Sequence, residues 1–581
     1  MNDAEGIGTY RRFMEAAADL VVAYGGSFSG EHGDGQARAE LLPKMFGGTI
    51  IQAFGELKAI FDPENRMNPG KIVAPNKLDE QLRLGAHWSP HATGPLHFDY
   101  PQDNGSFAAA ANRCVGVGKC RQHQHPNGAV MCPSYQATGE EEHSTRGRAR
   151  LVFEMLAGHD DSPITDGWRS TEVRDALDLC LACKGCKTDC PANVDMATYK
   201  AEFLAHHYQG RLRPRSHYAL GWLPTLAAGV SRLGLPGVVN ALAGAPLLPR
   251  LATAAAGLAP REIPLFAGQS LQQWFLRRGG SPAGPRGSVL LWPDTFTNYF
   301  HPHIGQAAVE VLEDAGWQVT MPAESLCCGL TWISTGQLAT AKKVLRRTVD
   351  MLTPHVQAGR FIVGLEPSCT SVFRSDAADL LGGDDRVARI AEKTVTLAEL
   401  LTGHTPGWRP PRLDGIHAIA QVHCHQHAVL GWAADQQLLD DAGALAQPLA
   451  SGCCGLAGNF GFEPGHLDVS TACAESVLLP AVRSAAPHTV VLADGFSCRT
   501  QIHELDSGGR EAIHLAELLH RAAIGSLAPS SDLAAGDRPT LPRPATRAAA
   551  FGATAVTAAA LLAAAAAALR VMLKSKHHRS T

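Results

Sequence analysis

The spacing of apolar residues changes several times along the chain. Near the start, Tyr10, Phe13, Ala17, Leu20 and Val21 recur at helical spacing and predict an amphipathic helix. Ser144–Leu156 reads as another helix, with Ser144 as its cap. Over residues 211–285, Pro214, Pro224, Pro236, Pro246 and Pro249 keep breaking the apolar runs, which predicts short helices and turns. No run there is long enough to span a bilayer, and packing and domain linkage are its expected roles. From residue 286, short apolar runs alternate with helical patterns: SVLL at 288, FIVG at 361, AIA at 418 and TVVL at 489. Buried strands alternating with helices predict a parallel sheet in an α/β fold. Finally, Ala548–Leu569 is free of charge, and Arg570, Lys574, Lys576 and Arg579 follow it. It is either a transmembrane tail with a cytoplasmic basic end or an exposed Ala-rich helix.

Composition narrows the class. At 581 residues the chain has room for about three or four domains. An apolar share of 45% with 18% charged residues describes a globular protein. The net charge of -4 and scattered arginines give no basic stripe, so no nucleic-acid partner is expected. MNDAEGIGTYRRF lacks a signal-peptide pattern, which predicts a cytoplasmic protein, with membrane contact at the cytoplasmic face through the tail. All 15 cysteines lie between Cys114 and Cys498 in tight groups. Such groups in an intracellular chain read as metal sites, not as a disulfide framework.

The densest group is Cys180, Cys183, Cys186 and Cys190, spaced C-x2-C-x2-C-x3-C-P. This spacing suits a 4Fe-4S cube, with the Cys-Pro cysteine turned toward a second cluster. Zinc or free thiols are the bland alternative. Upstream, Cys114, Cys120 and Cys132-Pro133 make a second half-motif. The layout predicts a helical ferredoxin-type domain with crosswise ligation. Cys132 would join Cys180, Cys183 and Cys186, while Cys190 would join Cys114 and Cys120. The count is seven rather than eight, because Val117 stands where a cysteine is needed. The second site would therefore hold a three-iron cluster, use His123 or His125, or be absent.

Gly25–Gly35 is a glycine-rich turn around Glu31-His32, and Phe61–Lys71 carries NPGK. Together the segments resemble the C-terminal end of FAD-linked oxidases of the vanillyl-alcohol-oxidase type. D-lactate, D-2-hydroxyglutarate and glycolate dehydrogenases are the nearest kin. The resemblance implies that His32 is the base for a substrate hydroxyl, that Glu31 is a divalent-metal ligand, and that Asn68 contacts the flavin. It also implies that the FAD-binding domain is missing, through a split gene, a misplaced start or loss, so the chain alone is expected not to bind FAD.

Residues 286–523 contain a repeat. Cys327-Cys328-Gly329 and Cys369 in the first copy correspond to Cys453-Cys454-Gly455 and Cys498 in the second, which adds Cys424. His423, His425 and His427 flank Cys424, and Cys473 is expected in the core. The pattern resembles the cysteine-rich CCG repeat of heterodisulfide reductase subunits and of the glycolate oxidase iron–sulfur subunit. Adjacent thiolates in Cys-Cys suit an unusual cluster or a redox thiol pair, with buried structural cysteine as the alternative.

The expected organisation is therefore multidomain α and α/β. Residues 1–75 form the end of an FAD-oxidase cap domain, 100–210 the ferredoxin-type domain and 211–285 a helical linker. Residues 286–405 and 414–523 are two CCG repeats, 524–547 a linker and 548–569 the tail. The expected function is iron–sulfur electron transfer from a flavin partner, fed by a D-2-hydroxyacid, to a quinone or cytochrome. The alternatives are a stand-alone iron–sulfur carrier and a heterodisulfide-reductase-like thiol/disulfide reductase.

Overall fold

A computed structural model describes residues 3–82, 84–86, 88–123, 128–156, 162–245, 248–322 and 324–526. His125, Pro246 and the Ala-rich tail lie outside the described residues. The chain divides into two compact units, Met1–Gly94 with Glu154–Thr165, and Pro95–Phe153 with the remainder from Asp166.

In the first unit, Asp3 caps the helix Ala4–Ala23 by accepting from Gly6 N at 2.6 Å. The buried stripe of this helix is Tyr10, Met14 and Ala18, packed with Phe28, Leu41 and Leu78. This corrects the sequence reading: Phe13 and Leu20 face outward. A second helix, Leu42–Phe61, is broken at Gly47, whose φ of +73° a side chain would disfavour. Phe46, Ile50, Leu57, Ile60 and Phe61 are exposed on it.

The second unit opens with short helices around the cysteine motifs. The helix Thr145–Leu156 is capped by Ser144, whose Oγ accepts from Gly147 N at 2.9 Å. Two parallel four-stranded sheets follow. The first contains β1 (Ser288–Leu291), β2 (Gln318–Thr320), β3 (Ile362–Gly364) and β4 (Thr394–Thr396), in the order β2-β1-β3-β4. The second contains β5 (His417–Ala420), β6 (Leu445–Pro448), β7 (Val490–Leu492) and β8 (Ala512–Ile513), in the order β6-β5-β7-β8. The identical order identifies the two segments as copies of one fold. β1, β3 and β7 are almost wholly buried, as helices on both faces of a parallel sheet require. One apolar core runs through both copies, joining Val289, Leu291 and Val363 to Ala418, Ala420 and Leu492.

Strand order reverses between β1 and β3, and between β5 and β7. Open α/β sheets bind ligands beyond the carboxyl ends of strands at this switch. Cys369 follows β3, Cys424 follows β5 and Cys498 follows β7. The topology thus brings cysteines far apart in sequence to one edge of each sheet.

Candidate iron–sulfur and cysteine centres

Cys132, Cys180, Cys183 and Cys186 are buried and line one small cavity. Two backbone features of the motif bring Cys132 there. A Cβ on Gly185 would lie 2.9 Å from Met131 N and from Val130 C, so only glycine lets that segment pass. Asp189 Oδ2 then accepts from Val130 N at 2.7 Å and Met131 N at 3.0 Å. His427 Nε2 lies 2.9 Å from the other Asp189 oxygen. Around the cavity, Met196 N donates to Cys186 Sγ at 3.4 Å and Thr145 N to Cys132 Sγ at 2.9 Å. Burial pushes the Cys183 and Cys186 thiols up, so neutral sulfur is favoured in the protein alone. Four buried sulfurs, backbone donors aimed at two of them and an apolar shell fit a cubane with thiolate ligands.

Lys184 sits inside this motif with φ of +60°. Its Nζ is 2.8 Å from Asp376 and 3.5 Å from Asp195, and all three are buried. Burial alone would raise Asp195, but Lys184 and Lys187 outweigh it and hold the carboxylate charged.

The first half-motif is organised differently. Cys120 hydrogen-bonds Cys132, which lowers the Cys120 thiol to about 6 with help from Arg146 N at 3.4 Å. Arg146 lies close to both Cys114 and Cys120. Cys120, which the sequence analysis groups with Cys114 and Cys190, also touches Cys132, because Thr145 and Arg146 at one helix start hold both sulfurs. Val117 is exposed, and His123 lies exposed against Tyr135.

In the second repeat, Cys424, Cys453, Cys454 and Cys498 are buried and hydrogen-bonded in a chain. Donation from Cys453 and Cys498 pulls the Cys454 thiol below its ordinary value, against the upward push of burial. Cys424 and Cys453 pack with Cys183 in one buried cluster, so the ferredoxin-type motif and this repeat adjoin. Cys473 belongs to that cluster through its helix, Leu467–Ser476.

The nearby histidines act as struts. His425 Nε2 lies 3.1 Å from Ala182 O, which can only accept, so its proton is on Nε2 and Nδ1 accepts from Ser371 Oγ at 3.2 Å. Burial lowers His423 and His425 to about 4, keeping both rings neutral.

In the first repeat, Cys328 and Cys369 have their sulfurs 3.2 Å apart, and Cys327 accepts from Gly329 N at 3.4 Å. After β1, Trp292 is buried against Phe373. Asp294 is a residue the sequence reading missed as a donor. It is 1% exposed, and its Oδ2 has no hydrogen-bond partner. Burial and Glu366 push it up to about 6. A buried unsatisfied oxygen close to Cys369 suits a hard fourth donor beside three sulfurs. Its only signal in sequence is the position of WPD after an apolar strand.

A chamber of about 270 Å³ connects the groups. Its wall includes Cys180, Cys183, Cys327, Cys328, Cys369 and Cys424. Within residues 211–285, expected to serve packing and domain linkage, Leu220, Leu223 and Pro224 form part of this wall. In the first unit, Glu31 and His32 are 3.8 Å apart and each is almost fully exposed, and Asn68 is exposed with φ of +50°.

Comparison with known proteins follows these three regions. Residues 1–72 match the C-terminal domain of FAD linked oxidases. Residues 110–194 match the 4Fe-4S dicluster domain, and residues 295–374 the cysteine-rich domain. The D-2-hydroxyglutarate dehydrogenase of Escherichia coli is 28% identical over 547 residues, covering 85% of this chain and 52% of that protein. The glycolate oxidase iron-sulfur subunit of Escherichia coli is 24% identical over 425 residues, covering 70% of this chain and 93% of that one. Lactate utilization protein A of an Exiguobacterium species is 28% identical over 252 residues, covering 40% and 97%. The chain spans about half the length of the D-2-hydroxyglutarate dehydrogenases it matches.

Proposed function

We propose that this chain is the iron–sulfur electron-transfer half of an FAD-dependent D-2-hydroxyacid dehydrogenase of the D-lactate, glycolate or 2-hydroxyglutarate type. It works with an FAD-binding domain or subunit and passes electrons to a respiratory acceptor. The observation that carries this reading is the packing of Cys183 against Cys424 and Cys453 in one buried cluster. Contiguous thiolate sets suit single-electron transfer, and the chain is similar both to a dehydrogenase, at 28% identity, and to an iron–sulfur subunit, at 24%.

Cys132, Cys180, Cys183 and Cys186 would hold a 4Fe-4S cube, which supplies a one-electron store. Cys114, Cys120 and Cys190 would contribute to the second site. Cys424, Cys453, Cys454 and Cys498 would hold the centre of the second repeat, and Cys327, Cys328 and Cys369 with Asp294 that of the first. Flavin, held mainly by the partner with Asn68 at its side, supplies the hydride acceptor. His32 would take the hydroxyl proton as a neutral imidazole, and Glu31 would ligate a divalent metal that orients the substrate.

The first unit supports the need for a partner. Phe13, Tyr24, Ile60, Phe61 and Met67 are all at least 67% exposed. An apolar surface of this kind marks an interface.

The test mixes the purified chain anaerobically with an FAD-binding half from such a dehydrogenase. D-2-hydroxyglutarate, D-lactate and glycolate are then added separately. At least one should bleach the iron–sulfur absorbance, and His32→Ala should slow bleaching about 100-fold or more. Bleaching by dithionite but by none of the three acids overturns the reading.

A second reading, thiol–disulfide chemistry at the first repeat, is favoured by the Cys328–Cys369 approach of 3.2 Å. Oxidation of that pair would release two electrons and two protons. Thiol counting before and after ferricyanide treatment would register two thiols fewer, and none in Cys369→Ala.

A further inference from the structure

We propose that Asp178, Glu463 and His466 form a site for a divalent metal ion of the zinc class, and that the ion pins the start of the C-x2-C motif to the second repeat. Asp178 closes the helix Thr171–Asp178, just ahead of Cys180. Glu463 and His466 stand immediately before the helix Leu467–Ser476. Asp178 and His466 are 288 residues apart in sequence, so only the fold brings them together.

His466 Nδ1 lies 3.1 Å from Phe460 O, which can only accept, so a ring proton sits on Nδ1. Its Nε2 lies 2.9 Å from Asp178 Oδ2, which as a carboxylate oxygen also only accepts. The neutral ring therefore turns a lone pair on a carboxylate, and a cation between them removes the conflict. Metal-binding histidines give their other N–H to a carboxylate or backbone carbonyl, as this ring does to Phe460. Two donors about 2.1 Å from a metal, at right angles to each other, are about 3 Å apart. The spacing of 2.9 Å between Nε2 and Oδ2 matches that. One donor atom from each of Asp178, Glu463 and His466 lies within 4.8 Å of the other two.

His217 points to the same ligand independently. It is 7% exposed, and its Nδ1 has no hydrogen-bond partner. Its Nε2 faces Glu463 Oε1 at 3.7 Å, too far for a hydrogen bond. Glu463 Oε1 accepts from Asn459 Nδ2 at 2.8 Å, while Oε2 is 3.7 Å from His466 Nδ1. A second proton on His466 would satisfy Nε2 but leave the His217 ring and Glu463 Oε2 unbonded. A metal ion with its bound water supplies partners to all three. Among the described residues, neither carboxylate pairs with a lysine or arginine. Lys200 is close by, but its Nζ donates to the carbonyls of Asp178 and Cys180, at 3.0 and 2.7 Å. An imidazole with two carboxylates is a donor set that suits zinc and offers no sulfur to an iron–sulfur cluster. Glu463 and His466 are buried, whereas the Asp178 side chain is 56% exposed and leaves an entry path. Cys473, on the helix that follows His466, packs with Cys183 and Cys453. The ion would thus fasten together the two segments that set the C-x2-C motif beside the second repeat.

Metal counting on the full-length, cluster-loaded chain tests the site. The protein is kept anaerobic, stripped with EDTA, equilibrated with zinc sulfate and freed of unbound metal. The parent should retain about one zinc per chain more than Asp178→Asn, Glu463→Gln or His466→Ala, with iron and sulfide equal in all four. Zinc X-ray absorption should assign that extra ion a shell of nitrogen and oxygen at about 2.0–2.1 Å, without sulfur at about 2.3 Å. This separates it from zinc held by cysteines. Zinc affinity should fall about 100-fold in each variant, and the rise in thermal midpoint that zinc gives the parent should vanish. Asp178→Asn changes an exposed side chain without changing its size, so its result stands even where His466→Ala loses its clusters. Unchanged zinc content and affinity in Asp178→Asn and Glu463→Gln overturn the site, and His466 is then a buried imidazolium bonded to Asp178. A sulfur shell around the extra zinc, or binding only above about 1 mM zinc, overturns it as well.

Discussion

Replacing Lys184 by methionine keeps the length of the side chain and removes its charge inside the 4Fe-4S motif. In the parent, its ammonium is 2.8 Å from Asp376 and 3.5 Å from Asp195. Asp195 retains Lys187 at 3.4 Å and the Thr198 N–H at 3.2 Å, so it loses only part of its support. Asp376 is worse placed, being 2% exposed with an Oδ2 that already has no partner. Removing one member of a buried pair costs about 3–5 kcal/mol because the other charge is stranded. The stranded carboxylate has one escape, which is to take a proton. For a group that ionises near pH 3.9 in the unfolded chain, this costs about 4 kcal/mol at pH 7, which caps the loss. The expected destabilisation of Lys184→Met is therefore about 3–4 kcal/mol at pH 7. With a urea slope of about 2–3 kcal/mol/M, the midpoint should fall by about 1–2 M. The sign of the pH effect follows. A variant whose folded form holds an extra proton loses stability as pH rises, by about 1.4 kcal/mol per unit relative to the parent. Equilibrium urea unfolding by tryptophan emission, at matched cluster content and several pH values, measures both quantities. A loss below about 1 kcal/mol, or a pH slope equal to the parent's, would refute the argument that Lys184 neutralises a buried carboxylate.

Further expectations concern the sulfur sites and acid stability. Cys132→Ser should lower bound iron by about four per chain, whereas Cys190→Ser should leave the cubane's EPR signal in place; equal losses would contradict the shared cavity. His217 is buried, and desolvation with Arg213 lowers it to about 3, so it stays neutral in the fold. The unfolded chain binds that proton below about pH 6.5, so stability falls as pH drops from there toward 3. His217→Gln should remove about 1.4 kcal/mol per pH unit of that dependence, measured by urea midpoints. Phe46→Glu with Ile50→Glu, both exposed, should leave the thermal midpoint of this chain almost unchanged while abolishing co-purification with an FAD-binding half.

The sequence was most informative where chemistry forces a spacing. The C-x2-C-x2-C-x3-C-P motif and the duplicated Cys-Cys-Gly are readable because thiolates at fixed offsets have few other uses. Strand periodicity revealed β1, β3 and β7, which are apolar and almost wholly buried, and β5, which buries Ala418 and Ala420. It passed over β2, β4, β6 and β8. These are two to four residues long, and most carry polar or exposed positions at the sheet edges. The stripe on the first helix was misplaced by about one residue, since Phe13 and Leu20 look like core by composition. Only tertiary packing selects Met14 and Ala18. Lys184, Gly185 and Asp189 lay in plain view between the cysteines. Their roles depend on Asp376 and on the Val130–Met131 backbone, hundreds or tens of residues away, and no local pattern announces such partners.

The two repeats share one topology but differ in chemistry, and that difference bears on the path of electrons. In the second repeat, four buried cysteines are linked through hydrogen bonds to a low-lying thiol at Cys454, and Cys424 adjoins Cys183. In the first, the turn after β1 offers Trp292 and Asp294 in place of a cysteine. A harder, oxygen-bearing donor set would favour a more oxidised centre than an all-thiolate one. Electrons entering beside Cys183 would then meet the second repeat first, while Cys327, Cys328 and Cys369 of the first repeat line the same chamber. Asp294→Cys would make the first repeat's donor set resemble the second's. The expected outcome is a changed EPR signature from the first-repeat centre, with the second-repeat signal unaltered. An identical spectrum in parent and variant would mean that Asp294 holds nothing.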